Sequence, residues 1–585
     1  MLIALRLVGI LAATLVLLPG LRAQNPAAIS TVFDHRFAAP AADGPGFLVT
    51  FDAVGASVRR IVLLDHDAPR QSRDSEVLPY EIVVPEYVDP SDPTRGVYSW
   101  LQLTAVDAEP FAALQKGLDL DTWTVAKEDD GSVRFTLDLK NGLVIEKLYA
   151  WDAGRRDLRL EFALRAAADS THAAAAPVRV RLGGIGLASP RAEWVLGANP
   201  SLAVGVIQSP TDGATETFAA ADGKREAVAV NLASKPADGN VEYAGSANRF
   251  FAALLYPLDD DAKRAFKRAD LRKVPDLPQL DTPPYSIPVA DATFELVVPA
   301  AGAESRVRFR LYLGPKSYRV FDENLEYARF DPVMKHTLDP MCFCTIPGAR
   351  AIATFLLWLL AILHSGVGNW GVAIMILTVL VRGALTPVNF KMQKSMRAYG
   401  QKMGKLKPKL DAIQRDFKND PKRLQQEMVA FQREHKLFPP LGGCLPMFAT
   451  IPIFLGLFTA LRVAYELRLQ PLAFWIDDLS RPDQLFEVGL SWLPYFNLLP
   501  LVMIGLWLWL QASAPLPTDP QQRQMMKIMR LMPFVFGVTL YNYASGLMVY
   551  MITSSIFGLV EQRVTRRILG PIDPNAAVMG GTPMI

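Results

Sequence analysis

Signatures of active-site chemistry are scarce in this chain. Its three cysteines, Cys342, Cys344 and Cys444, are too few for a disulfide framework in 585 residues. Cys342 and Cys344 are separated by one residue, which would strain a bridge between them. A lone Cys-x-Cys is also thin support for a metal site, so free thiols are expected. No HExxH pair, nucleophile elbow or glycine-rich phosphate loop occurs. His35, His66 and His172 are scattered. These gaps leave no catalytic residue, no metal and no cofactor to assign, and the chain is expected not to be an enzyme. A sugar-binding or sugar-modifying β domain stays open. The net charge of +3 says little, because the charge is unevenly distributed.

Half of the residues are hydrophobic, and they fall in distinct patterns. Within residues 1–24, Arg6 precedes an apolar run to Leu21. That run reads as a cleaved signal peptide or as an uncleaved first span, and either one exports the next segment. Residues 25–335 alternate with period two, the mark of half-buried strands. In SVRFTLDLKNGLVIEKLY, Val133, Phe135, Leu137 and Leu139 alternate with polar residues before Asn141-Gly142. Asn-Gly favours the turn that matches strand twist. DLRLEFALR repeats the pattern at Leu158, Leu160, Phe162 and Leu164, and RVRFRLYLG adds a strand from Arg306. An antiparallel β-sandwich is expected, with Asp129-Asp130 and Asp259-Asp260-Asp261 as loop charges.

Beyond Asp339 the composition turns apolar. Residues 336–369 are expected to hold a linker and an interfacial amphipathic or re-entrant helix. The apolar run from Ala351 to Leu363 is 13 residues long, whereas a span needs about 20. Residues 370–570 read as a membrane core, with spans at about 370–387, 441–464, 490–510, 528–541 and 546–560. Between the first two, Lys391 to Lys436 carries 13 Lys/Arg against five Asp/Glu. The positive-inside rule places this segment in the cytoplasm. Leu406, Leu410, Ile413 and Phe417 follow helical spacing, as do Leu424, Met428 and Phe431. Asn419-Asp420-Pro421 supplies an N-cap and a first-turn proline between them, so the segment reads as a helical hairpin, residues 391–436. Its Lys405, Lys407, Lys409, Arg415, Lys422 and Arg423 suit ribosomal RNA or anionic lipid headgroups. A merely solvated positive face fits them at least as well. A segment with Asp477, Asp478, Asp483 and Glu487 falls outside. Arg523 and Lys527 fall inside, as do Arg563, Arg566 and Arg567. Residues 571–585 read as a disordered tail.

Arg382 lies near the end of WGVAIMILTVLVRGALTP, with Thr378 four residues earlier on the same helical face. A charge inside a membrane helix costs about 2.5–3.5 kcal/mol on insertion scales and by default faces a wet cavity. The other reading is an arginine that snorkels to the cytoplasmic end of its span. Spacing alone leaves both open.

LTVLVRGALTP, the basic hairpin, LFPPLGGCLPMFATIPIFLGLFTAL, ELRLQPLAFWIDDLS, TDPQQRQMMKIMRLMPFVFGV and SGLMVYMITSS follow in order between Trp370 and Arg567. Together they resemble the YidC-type membrane protein insertases, in the Gram-negative form with a large periplasmic β domain. LYLGPKSY resembles that domain's closing strand. The resemblance implies an α+β multidomain membrane protein: a periplasmic antiparallel β-sandwich plus a five-helix transmembrane insertase core with a cytoplasmic helical hairpin. It implies a hydrophilic groove holding Arg382, Thr378 and Tyr550. It implies a substrate slide at Ile451, Pro452 and Phe454 and at Pro533, Phe534 and Phe536. One departure is Tyr550-Met551, where many relatives have two tyrosines. Another is the N-terminal segment, which the family normally keeps uncleaved.

The expected function is insertion. Hydrophobic segments of newly made proteins would pass from the cytoplasmic side into the inner membrane through the groove. Their folding would be assisted, with or without the Sec translocon. The expected partners are nascent membrane proteins, the Sec translocon, the ribosome or signal-recognition receptor, and membrane lipids. The expected location is the bacterial inner membrane, multi-pass, with the β domain in the periplasm and the hairpin and C-terminus in the cytoplasm. The alternative is a secondary transporter with a substrate site at Arg382. The sequence lacks the internal repeats and paired broken helices of that class.

Overall fold

The computed structural model describes residues 31–38, 45–67, 77–82, 100–108, 111–115, 117–169, 177–187, 202–208, 215–221, 240–274, 287–322, 324–331, 333, 349–417, 420–435, 445–490, 493–513 and 528–570. The N-terminal segment, the three cysteines, His172, Arg523, Lys527, the tail and the side chain of Lys407 lie outside the described residues.

Alternating apolar residues build the β half. Among the described residues, nine strands form one sheet in the order Thr215–Ala221, Leu202–Gln208, Asn240–Ala247, Phe251–Pro257, Glu304–Pro315, Asp157–Ala166, Leu143–Trp151, Val133–Asp138 and Thr124–Lys127. A four-stranded sheet joins Phe266–Val274, Ile287–Val297, Pro177–Gly186 and Gln102–Ala105. A second joins Val32–Ala38, Gly46–Asp52, Ser57–Asp67 and Pro79–Ile82. The pairings in all three sheets are antiparallel. Aromatic contacts show how the sheets face each other. Phe162 and Phe309 of the large sheet meet Phe294 of the first small sheet at 4.8 and 5.0 Å between ring centroids. Phe51 of the second small sheet meets Phe135 and Tyr149 of the large sheet at 5.5 and 4.8 Å. One continuous apolar core therefore lies between the layers.

Local chemistry explains the turns. At Asn141-Gly142, Gly142 has a φ of 78°, and the Asn141 side-chain oxygen accepts the Leu143 amide at 3.3 Å. The Asp259 carboxylate corrects the loop-charge expectation. It accepts the Ala262 amide at 2.8 Å and so caps helix α1, Asp260–Ala265. The β half closes with α2, Tyr318–Asp322.

The helical half starts with α3, Ala349–Val367, a helix of 19 residues. It is longer than the 13 residues expected, because it continues through His364 until Gly368 takes a φ of 72°. Its Ala353, Leu356 and Leu360 are buried, while Phe355, Trp358 and Ile362 are exposed. Asn369 then accepts the Val372 amide at 3.1 Å and caps α4. Helix α4, Trp370–Asp416, runs unbroken for 47 residues. Pro387 was expected to end the first span, and the helix passes through it. The segment expected to span and the expected first arm of the hairpin are thus one helix. Within α4, Trp370–Ser395 is the one stretch among the described residues long and apolar enough to cross a membrane.

Helix α5, Pro421–Glu434, begins as the sequence predicts: Asp420 accepts the Arg423 amide at 3.1 Å, with Pro421 in the first turn. Its Phe431 packs with Leu410 of α4, and Leu406, Ile413 and Met428 surround the pair. Helix α6, Leu445–Val463, lies against α3. There a Cβ on Gly456 would sit 2.9 Å from the Ile352 side chain, so a larger residue would force α3 and α6 to adjust.

The expected crossing over 490–510 is corrected. Phe486–Leu490 pairs with Leu493–Phe496 as a hairpin, with the Phe486 and Phe496 rings stacked at 4.8 Å. Pro494 lacks an amide and disfavours helical backbone at the residue before it. Helix α7, Leu499–Ala512, starts only afterwards and has 14 residues, about 21 Å of rise. The expected span over 528–541 is likewise short. Helix α8, Met532–Thr539, has eight residues, about 12 Å. Helix α9, Ser545–Leu569, has 25 and carries the last apolar stretch on through Arg563, Arg566 and Arg567.

Candidate functional site

Two long helices meet at Arg382. It lies on α4, half-buried, and faces Ser554 of α9, which is 6% exposed. Arg382 donates from Nε to the Ser554 hydroxyl at 2.8 Å, and its Nη2 donates to the same oxygen. Among the described residues Arg382 has no carboxylate within salt-bridge distance. The charge is therefore held by a neutral acceptor and keeps its full sign.

The neighbours of this pair are polar groups already satisfied along their own helices. Ser555 donates to the Met551 carbonyl at 2.6 Å and accepts from Trp507 Nε1 of α7 at 3.0 Å. Thr378 is buried, and its hydroxyl donates to the Ile374 carbonyl at 2.7 Å. It offers the site a satisfied wall and not a free hydroxyl. Thr386 donates to the Arg382 carbonyl at 2.9 Å. Tyr550, one turn before Ser554 on the same helix, is buried. Its ring centroid lies 6.2 Å from that of Phe454 on α6. The structure thus brings Arg382, Tyr550 and Phe454 into one neighbourhood.

Ile451, Pro452 and Phe454 are half-buried on α6, with Pro452 inside the helix. Pro533 is buried in the first turn of α8, while Phe534 and Phe536 are exposed. Phe536 meets Trp507 at 5.6 Å, edge to face. Lys405, Lys409, Arg415, Lys422 and Arg423 are exposed on α4 and α5. Among the described residues no cluster of three His, Cys, Asp or Glu side chains is placed to hold a metal.

Ser554 was not singled out from the sequence, although its signal is present. It falls four residues after Tyr550, on the same face of a helix.

The β half, residues 43–339, matches the family model described as the YidC periplasmic domain, and residues 362–571 match the one described as 60Kd inner membrane protein. The chain belongs to the YidC family. A YidC membrane protein insertase from Cupriavidus taiwanensis is 31% identical over 346 residues, covering 59% of this chain and 54% of that one. The Syntrophobacter fumaroxidans YidC is 34% identical over 258 residues, or 44% of this chain and 43% of its own. The Neisseria gonorrhoeae YidC is 35% identical over 276 residues, with shares of 47% and 44%. The chain spans about half the length of the curated relatives it matches. Among solved structures, an active YidC insertase with its first transmembrane domain resolved is similar at 17% identity. It covers 96% of this chain and 99% of its own, with a TM-score of 0.31. A galactose mutarotase-like protein from Lactobacillus casei is similar at 11% identity, over 48% of this chain and all of its own, with a TM-score of 0.27.

Proposed function

We propose that this YidC-family chain inserts hydrophobic segments of newly made proteins into the bacterial inner membrane. The observation that carries the reading is Arg382, half-buried, tethered to a serine and free of any described carboxylate. An unneutralised cation in such a place is costly in lipid unless water or an anion attends it. In this reading the arginine holds water in a groove among α4, α6 and α9 and attracts acidic residues of an incoming segment. Each negative charge drawn across the membrane adds about 2.3 kcal/mol per 100 mV. The wet groove shortens the low-dielectric path for polar backbone. The apolar part of the substrate leaves sideways along Ile451, Pro452 and Phe454 and along Pro533, Phe534 and Phe536. Burial in lipid drives that exit at roughly 25 cal/mol per Å².

The rest of the arrangement follows from this assignment. The helical core is embedded in the membrane with α4 crossing it, the β domain lies in the periplasm, and the α4–α5 hairpin and the C-terminus lie in the cytoplasm. The exposed Lys405, Lys409, Arg415, Lys422 and Arg423 meet the ribosome, a signal-recognition receptor or anionic lipid headgroups. The insertase works with or without the Sec translocon.

The experiment is insertion of a single-span substrate into reconstituted vesicles. Arg382→Ala is expected to depress insertion of an acidic-tailed substrate much more than of a neutral one. Arg382→Lys is expected to retain most activity. Equal insertion of both tails by wild type and Arg382→Ala would refute the electrostatic role.

A further inference from the structure

Arg249 sits where the two halves of the molecule meet. It stands in the turn between strands Asn240–Ala247 and Phe251–Pro257, and it is 1% exposed. The turn is fixed locally. The Asn248 side-chain oxygen accepts the amides of Phe250 and Phe251 at 3.0 and 2.8 Å. Asn248 Nδ2 donates to the Tyr80 hydroxyl at 3.1 Å. The Lys316 amide donates to the Phe250 carbonyl at 2.7 Å. From this base the Arg249 side chain reaches into the helical half. Nε donates to the Arg462 carbonyl at 2.7 Å, and Nη2 donates to the Ser480 carbonyl at 2.9 Å.

Both acceptors govern what lies beneath them. Arg462 is in the last turn of α6, whose terminal carbonyls lack helical partners and carry partial negative charge. Ser480 belongs to the segment that seats the start of α9. In that segment the Asp478 carbonyl accepts the Ser545 hydroxyl at 2.9 Å. The carbonyls of Leu479 and Arg481 accept the amides of Gly546 and Ser545 at 2.8 and 2.6 Å. A Cβ on Gly546 would sit 3.0 Å from the Leu479 carbonyl oxygen, so the seat is tight. One guanidinium on a β turn thus grips the end of α6 and the support of the helix that carries Tyr550 and Ser554.

We propose that Arg249 is a latch by which the β domain keeps the adjoining end of the helical core closed, making it a positioning residue for α9. The inference goes beyond insertion, because it assigns the β domain a part in sealing the core.

The test uses full-length protein in vesicles with Cys342, Cys344 and Cys444 replaced by serine. Leu547→Cys is the reporter, since Leu547 lies in the first turn of α9 and is 1% exposed. A membrane-impermeant maleimide is added from the β-domain side. Little labelling is expected with Arg249 in place. Arg249→Ala, which loses both carbonyl contacts, should label at least roughly tenfold faster, the factor for even one charge-assisted hydrogen bond. Arg249→Lys keeps a charge and one carbonyl contact and should recover most of the protection. Leu160→Cys, in the β core and 0% exposed, reports general unfolding. Unchanged labelling of Leu547→Cys in Arg249→Ala overturns the latch, and so does equal acceleration at both reporters. Substrate insertion is not the readout, so the latch and the insertase reading fail independently.

Discussion

Arg382 of α4 and Ser554 of α9 are joined across 172 positions of sequence by two hydrogen bonds to a single hydroxyl. The serine aims the guanidinium without cancelling its charge, which a carboxylate in the same place would do. Ser554→Ala is expected to leave the charge and loosen its aim. A charge-assisted hydrogen bond is worth about 1.5–3 kcal/mol, and water replaces part of it at a half-exposed group. Insertion of an acidic-tailed substrate should fall by roughly threefold to tenfold, while a neutral-tailed one is little changed. Ser554→Thr should restore the loss. A substrate-insertion assay with both tails checks this.

His66 makes the contact between the two halves sensitive to acid. Arg156 donates to its Nε2 at 3.3 Å, so that nitrogen accepts and the ring proton sits on Nδ1. Nδ1 faces the Tyr465 hydroxyl at 3.3 Å. Burial holds the imidazole down at about 4; Asp65 opposes this, while Arg156 and Arg468 reinforce it. The folded value lies below the ordinary 6.5. The contribution is therefore full above pH 6.5 and is lost as the pH falls through 4. Melting temperature should drop more steeply over that range in wild type than in His66→Gln. Parallel pH profiles would show that the neutral ring carries nothing.

Asp157 ties the β domain together. It accepts from Tyr256 at 2.7 Å, Tyr327 at 2.8 Å, Arg155 at 2.9 Å and Arg310 at 2.7 Å. Burial pushes its carboxyl up, but these donors outweigh burial and hold it below the usual range. Removing it takes one carboxylate partner from half-buried Arg155, which keeps Glu326, and one from buried Arg310, which keeps Asp152. Asp157→Ala is expected to cost about 1.5–3 kcal/mol, the scale of a lost hydrogen bond to a charged group, read from chemical denaturation of the full-length protein in detergent. A loss near zero would mean the arginines find other partners.

The hairpin rests on a small contact. Phe431 is 8% exposed against Leu410 and stacks on His435 at 4.2 Å. Phe431→Ala should cost about 3 kcal/mol or more. Amide exchange across α5 should then rise toward that of an isolated helix, with exchange in the first turns of α4 unchanged.

What the sequence disclosed was mostly local. The Asn141-Gly142 turn, the Asp420-Pro421 helix start and the alternation at Val133, Phe135 and Leu137 each depend on residues a few positions apart. Local reading failed where a neighbour changed its meaning. Asp259 caps a helix that had no apolar stripe to announce it, and Pro494 divides a stretch that hydropathy alone joins. Pro387 is carried inside α4 where punctuation predicts an end. The site was legible through Arg382, whose charge is unusual in an apolar helix, while Tyr550 came only through the family resemblance. Arg249 and His66 were not, because their partners lie 213 and 399 positions away. For Arg249 those partners are backbone carbonyls, which every residue possesses and no sequence pattern marks.

The unbroken course of α4 has a mechanical consequence. From Arg382 to Asp416 the helix extends about 50 Å, with Pro387 a little over one turn past the arginine. Pro387 has no amide to give the helix and so removes one backbone hydrogen bond from α4; a load on the far arm is therefore expected to bend the helix there, with the guanidinium on the short side of the bend. A tilt of a few degrees at the bend swings the distant tip by several ångströms and the charge by a small fraction of that. Whatever grasps the tip can therefore be gripped firmly while the charge is adjusted finely.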